Sequence, residues 1–409
     1  MSTRLAALWA WLAIAGPLAA SAQDRPGLLV PAQPDSARPE SEPAPLLGPD
    51  RANPRDSTEL TAHQRAWEQF EFGRTMEAKG RTGVAVVAYR NAARIEPQLR
   101  ELNYRLGRLL AADGQLTEAM KCFATEVANH PDHEEAAREL GLVLSRLGDH
   151  KRGISQLELL ARRKPQEGKN WHALGFAYRA AGRRQEAETA LRRAIRLAPD
   201  DAEEHRDLGA LLADLGRARE AKAEYRRALA LFPGDPSTWL NLGNLERRGG
   251  RPDSALVCYQ RAEAGDSSFS LAYVGQLQLL RERSRLADAG VVYRRWLRHR
   301  PEEHGARLEA VDLFEGLHQP EVALEIAREG VQRVSDQGQP YVIYGMTLAA
   351  QGRAREALRQ YRRAEFLFLA NPAERARVRK LIDDLRRAAP DSLRGLFEAD
   401  SAAAAAPPR

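Results

Sequence analysis

The chain has 409 residues, 43% hydrophobic and 6% aromatic, with 62 basic and 56 acidic residues and a formal net charge of +6. That length holds two or three ordinary domains or one repeat array. Arg outnumbers Lys by 55 to 7, but nearly every basic run is interleaved with Glu or Asp, which excludes the one-sided basic patch of a nucleic-acid-binding surface.

Residues 1–22 read as a secretory signal. Arg4 supplies the positive charge, Leu5 to Ala15 the apolar run, and Gly16-Pro17 the break. Ala20-Ser21-Ala22 then offers a cleavage site of small residues. A spanning helix needs about 20 apolar residues without a breaker, so no stable membrane span is expected after cleavage, and tethering by an uncleaved segment is the alternative. The expected location is the periplasm of a bacterium or the exterior. Residues 23–56 are rich in Pro, Ala, Ser and charge and predict a mobile linker. Ser57 to Arg65 should extend the first helix after that linker.

From residue 66 to 371 the chain repeats every 34 residues without a gap, in windows 66–99, 100–133, 134–167, 168–201, 202–235, 236–269, 270–303, 304–337 and 338–371. The eighth position is Gly in seven of them: Gly73, Gly107, Gly141, Gly175, Gly209, Gly243 and Gly345. The fifteenth is Gly in the same seven, for example Gly80, Gly182 and Gly352. The twentieth is Ala in eight windows, and Pro recurs at the thirty-second. Gly at the fifteenth position ends a first helix, because Gly tolerates the left-handed conformation after a helix C-terminus. Pro ends the second. Small residues at positions eight and twenty should face each other and let the two helices approach closely. Aromatic residues at position twenty-four, such as Tyr89, Tyr225, Tyr259 and Tyr361, are expected to fill the gap between one helix pair and the next. Cys122 and Cys258 lie four repeats apart, too far for a disulfide, and should be free thiols.

Trp171, Leu174, Gly175, Tyr178, Ala187, Leu191, Ala194 and Pro199 follow a known order. The pattern resembles the tetratricopeptide repeat. The resemblance implies an all-α, right-handed α-solenoid of about nine helix-turn-helix repeats over 57–371, with a capping helix over 372–390 and a disordered tail at 391–409. Asn371-Pro372 marks the start of the cap, whose apolar stripe is Val378, Leu381, Ile382 and Leu385. Windows seven and eight depart from the pattern, with Leu277 and Ser284, then Val311 and His318, replacing the glycines. Leu277 is too large for a close crossing, so this helix pair should splay or shift. Pro320 should begin a helix.

The sequence holds no Gly-rich phosphate loop, no H-E-x-x-H and no G-x-S-x-G. His130 and His133 give too few ligands for zinc and read as part of a solvated turn. No catalytic residue, cofactor or metal is expected, and the chain reads as a non-enzyme. The resemblance places partner binding on the concave face, at window positions two, five, nine, twelve and thirteen. Those positions carry His172, Phe176, Arg179, Arg206, Asn244, Arg247, Arg248, Gln278 and Arg281. This stretch is polar and mainly basic, suited to a carboxylate terminus or an acidic segment of a protein or peptide partner. The leading expectation is an exported scaffold holding such partners, as in cell-envelope assembly. The alternatives are an adaptor for polyanions or carbohydrate and an accessory subunit of an enzyme complex.

Overall fold

The computed structural model describes residues 61–388. The signal, linker and tail expected at the two ends lie outside the described residues, as do positions 57–60. Nineteen α-helices and no strand occur among the described residues. They group into two compact units that divide between Leu231 and Phe232.

The first unit contains α1 (Ala62–Ala78), α2 (Thr82–Ile95), α3 (Leu102–Ala112), α4 (Leu116–Asn129), α5 (Glu134–Arg146), α6 (His150–Arg163), α7 (Gly168–Ala180), α8 (Arg184–Leu197), α9 (Ala202–Asp214) and α10 (Ala218–Leu231). The second contains α11 (Pro236–Arg248), α12 (Pro252–Gly265), α13 (Ser270–Glu282), α14 (Leu286–His299), α15 (His304–Gly316), α16 (Pro320–Arg333), α17 (Gly338–Ala350), α18 (Ala354–Leu367) and α19 (Pro372–Ala388). In both units consecutive helices pack as hairpins, and each hairpin packs on the next. Each unit is an all-α repeat solenoid.

Each turn between paired helices is set by one residue. All seven fifteenth-position glycines have positive φ, from 69° at Gly80 to 86° at Gly148. In the two windows without glycine, Ser284 (φ 53°) and His318 (φ 57°) adopt the same left-handed conformation. Repeat geometry therefore overrides the local preference of L side chains, which disfavour this region by roughly 1–2 kcal/mol.

The eighth-position glycines are also explained by space. A Cβ at Gly209 would stand 2.7 Å from Tyr225 Cε1, and one at Gly243 would stand 2.6 Å from Tyr259 Cε1. The same holds at Gly73 against Tyr89, Gly107 against Phe123 and Gly345 against Tyr361. The position-twenty-four side chain thus lies flat on the glycine of its own pair. This corrects the expectation that it chiefly fills the gap to the next pair. Tyr259 does both, since a Cβ at Gly275 of the next repeat would also meet its ring, at 2.9 Å. The alanines at position twenty are fully buried, as expected.

Windows seven and eight, where Leu277 and Val311 replace that glycine, show the sparsest packing between paired helices, consistent with splaying. The small residues have moved rather than vanished. Gly290 lies under the Phe314 ring, which a Cβ would approach to 2.6 Å. Pro320 occupies the first turn of α16, as expected. Asn371 Oδ1 accepts from the Glu374 N–H at the start of α19, and Val378, Ile382 and Leu385 bury against α17 and α18, closing the end of the second unit.

A further regularity joins neighbouring repeats. Trp171 Nε1 donates to the Pro165 carbonyl (3.0 Å), Trp239 Nε1 to Pro233 (2.8 Å) and Asn103 Nδ2 to Pro97 (2.6 Å). The Tyr273 hydroxyl donates to Ser267 (2.9 Å), and an Arg307 terminal nitrogen to Pro301 (2.8 Å). Indole, amide, phenol and guanidinium all reach back six residues from window position four. Donors of quite different chemistry serve at this position, although window three has Ala137 there and makes no such bond. Arg307 is fully buried, and burial lowers its pKa to about 10. Its second terminal nitrogen donates to the Ile326 carbonyl at 2.8 Å. Gly330 makes room for it, since a Cβ there would be 2.7 Å from Arg307 Cδ.

Neither cysteine is in a disulfide; Cys122 is half-buried and Cys258 buried. Burial raises the Cys122 thiol to about 11. His133 departs from the solvated-turn expectation. It is buried, its Nδ1 accepts from the Ala136 N–H at the start of α5, and its ring packs 4.8 Å from that of Tyr104.

Candidate partner-binding face

Several first helices also touch the first helix of the neighbouring pair, as α5 touches α7 in the first unit and α11 touches α13 in the second. In each unit the first helices therefore line one common face. The expected site residues all fall on first helices, four in the first unit and five in the second.

In the first unit, α7 carries His172, Phe176 and Arg179, and α9 carries Arg206. His172 Nε2 lies 2.8 Å from Asp207 Oδ2, and an Arg179 terminal nitrogen lies 2.6 Å from Asp214 Oδ2. Both pairs span 35 residues, from one repeat to one position further in the next. Arg206 bonds Glu203 (2.7 Å) and Asp207 (3.1 Å) on its own helix. Phe176 is half-buried between these pairs.

In the second unit Arg247 repeats the 35-residue spacing, while Arg281 reaches 28 residues on. Arg247 on α11 pairs with Glu282 on α13 at 3.0 Å, and Arg281 pairs with Glu309 on α15 at 3.3 Å. Asn244 accepts from the Tyr259 hydroxyl through Oδ1 (2.8 Å) and is half-buried. Gln278 is half-buried, and Arg248 is exposed at the end of α11.

The face is thus a ladder of ion pairs rather than a basic strip. Four of the arginines expected to offer free charge are each paired: Arg179, Arg247 and Arg281 with an acid of the next repeat, and Arg206 with acids on its own helix. Exposed pairs of this kind contribute little to stability. They fix side-chain positions and leave a surface of alternating sign. Further along, α15 turns the face acidic with Glu309, Asp312 and Glu315. Burial, with Glu309 beside it, raises Asp312 to about 6, and burial with Asp312 raises Glu315. The sequence reading missed this acidic stretch because it followed the basic positions of the central windows.

The densest cluster centres on His172. Burial alone would lower its pKa, but the hydrogen bond and charge of Asp207, with Glu204 and Glu203, outweigh burial and lift it to about 9. Glu204 is raised to about 7 by burial, with His172 opposing and Asp201, Asp207 and Glu203 adding to the rise. Asp207 is held below its ordinary value: burial opposes this, but His172 and Arg206 prevail. Only a donor-by-donor comparison of adjacent windows, at separations of 31 to 35 residues, could have paired these groups from the sequence.

Family models described as tetratricopeptide repeat match residues 104–168, 168–201, 202–245 and 240–304. The chain belongs to the tetratricopeptide-repeat family, whose fold is generally a non-catalytic scaffold. Among solved structures, it is similar to a thermophilic repeat protein of Thermus thermophilus. Identity is 27% over 44% of this chain and 97% of that one, with a TM-score of 0.41. It is also similar to MamA from Desulfovibrio magneticus, at 22% identity over 41% and 94% with a TM-score of 0.37. A third similar structure is pilF of Pseudomonas aeruginosa, at 16% identity over 51% and 94% with a TM-score of 0.40. No curated protein matches the chain. No helix among the described residues is long and apolar enough to cross a membrane.

Proposed function

We propose that this protein is a non-enzymatic scaffold that binds protein or peptide partners along the face of its first helices. His172, Phe176, Arg179 and Arg206 serve in one unit and Asn244, Arg247, Arg248, Gln278 and Arg281 in the other. The observation that carries this reading is the repeat-to-repeat ion-pair ladder. It holds polar and aromatic side chains half-exposed at regular spacing, which suits an extended or helical segment with alternating charges. A polyanion is less well served, because Arg179, Arg206, Arg247 and Arg281 already have acidic partners. The N-terminal apolar run and the small residues after it support export, with assembly of the cell envelope as the setting.

The test is a charge-swapped pair. Arg247→Glu combined with Glu282→Arg keeps the internal ion pair but inverts the charge offered at each height. Crosslinked pull-down of partners should fall while the helical circular dichroism stays unchanged. Undiminished capture by the swapped protein would refute the assignment of this face. Steep loss of binding with salt would instead favour the polyanion reading.

A further inference from the structure

We propose that His172, Glu203 and Asp207 form a binding site for a borderline first-row divalent metal ion of the Zn2+ class, built on α7 and α9. One ligand atom from each of the three lies within 4.8 Å of the other two. Zn–N and Zn–O bonds of about 2.0–2.2 Å place tetrahedral ligand atoms about 3.4 Å apart. Small side-chain rotations close that difference.

Gathered carboxylates do not make a site by themselves. The second observation is Glu204, whose side chain is 3% exposed. Its Oε1 lies 3.8 Å from His172 Nδ1, and its Oε2 has no hydrogen-bond partner. A buried carboxylate with an unpaired oxygen is costly unless positive charge stands close by. Here it is aimed at the outer nitrogen of a ring whose other nitrogen, Nε2, faces Asp207. A slight closing of that 3.8 Å gap would give the carboxylate contact that orients metal-ligating histidines.

Arg206 completes the support. Its Nε holds Asp207 Oδ1 at 3.1 Å, and a terminal nitrogen holds Glu203 Oε1 at 2.7 Å. Asp207 Oδ2 meets His172 Nε2 at 2.8 Å, so an ion would enter by replacing that hydrogen bond and its proton. The charges agree as well. Glu203, Glu204 and Asp207 with Arg206 sum to −2, which one divalent ion beside a neutral imidazole cancels. One imidazole and two carboxylates suit Zn2+ or its first-row neighbours rather than ions that select thiolates. Three protein ligands leave a fourth position for water. The site does not depend on the partner-binding reading.

The test uses the full chain, stripped by a chelator and titrated with Zn2+ against a chromophoric competitor. The wild type should bind one equivalent. His172→Gln and Asp207→Asn should each weaken binding at least tenfold, and Glu204→Gln by about 10- to 100-fold, with unchanged circular dichroism. A second measurement needs no variant: stoichiometric Zn2+ should block carbethoxylation of His172, read by mass spectrometry at a pH near 9, where the metal-free imidazole is no longer fully protonated. Failure of the wild type to bind, equal affinity in the His172 and Asp207 variants, or unhindered labelling of His172 would each overturn the proposal.

Discussion

Gly209→Ala isolates the close helix crossing on which the repeat depends. In the middle of α9, Ala favours the helix over Gly by roughly 1 kcal/mol, so propensity alone predicts a more stable protein. Space predicts the opposite. The added Cβ would stand 2.7 and 2.8 Å from Tyr225 Cε1 and Cδ1 and 3.3 Å from the Ala221 carbonyl oxygen. Ordinary carbon–carbon contact lies at about 3.5–4.0 Å. Tyr225 is only 2% exposed, so its ring cannot swing into solvent, and the ring or the helix must withdraw by nearly 1 Å. Overpacking of this kind costs about 1–3 kcal/mol. The net expectation is neutral to about 2 kcal/mol destabilising, with Gly209→Leu worse. Gly83→Ala in α2 is the control, because a Cβ there meets nothing within 4 Å. It should be neutral to about 1 kcal/mol stabilising. Urea unfolding followed by circular dichroism reads both variants, and amide hydrogen exchange in α9 and α10 localises the effect to that hairpin. A Gly209→Ala protein more stable than the wild type, as propensity alone predicts, would refute the crossing.

Three more outcomes are expected. Ser284→Gly and His318→Gly should each raise stability by about 1 kcal/mol, by removing the left-handed strain at φ 53° and 57°; an unchanged unfolding midpoint would show that the turn carries no strain. Arg307→Met should destabilise the second unit by about 1–3 kcal/mol, because the Pro301 and Ile326 carbonyls lose their donor; hydrogen exchange in α15 and α16 checks it. With a chelator present, stability of the first unit should fall as pH rises from 6.5 to 9. His172 is raised to about 9 in the fold, so its contribution is complete below 6.5 and lost through 9, at most about 3 kcal/mol. Glu204, raised to about 7, acts in the same direction at lower pH, and depressed Asp207 loses its contribution only in acid. Unfolding midpoints between pH 6 and 9.5 should flatten in His172→Gln, and an identical slope would contradict the assignment.

Much of the fold was legible in the sequence because its constraints are local and recur. A residue that must turn left-handed shows as Gly at position fifteen, and one that must admit a ring shows as Gly at position eight. What touches that glycine was not legible, since periodicity alone does not say that Tyr225 lies on Gly209 rather than on the next pair. The signature at position four hid its own rule, because Trp171, Asn103, Tyr273 and Arg307 look unrelated until each is seen to donate to a carbonyl six residues back. The buried Arg307 and its compensating Gly330 read only as drift. On the candidate face, the helix positions were legible but the charge was not. Arg179 finds Asp214, and Arg247 finds Glu282, across 35 residues, a pairing that requires the rise from one repeat to the next. The same spacing concealed the gathering of His172 with Glu203 and Asp207.

Site-specific photocrosslinking in living cells tests the central claim most directly. A crosslinking amino acid is placed at Phe176 and Gln278 on the first-helix faces, and at Thr189 and Val257, exposed on second helices. Partner adducts should form from Phe176 and Gln278 and be absent from the other two positions. Adducts from Thr189 or Val257 with none from the first-helix positions would contradict it.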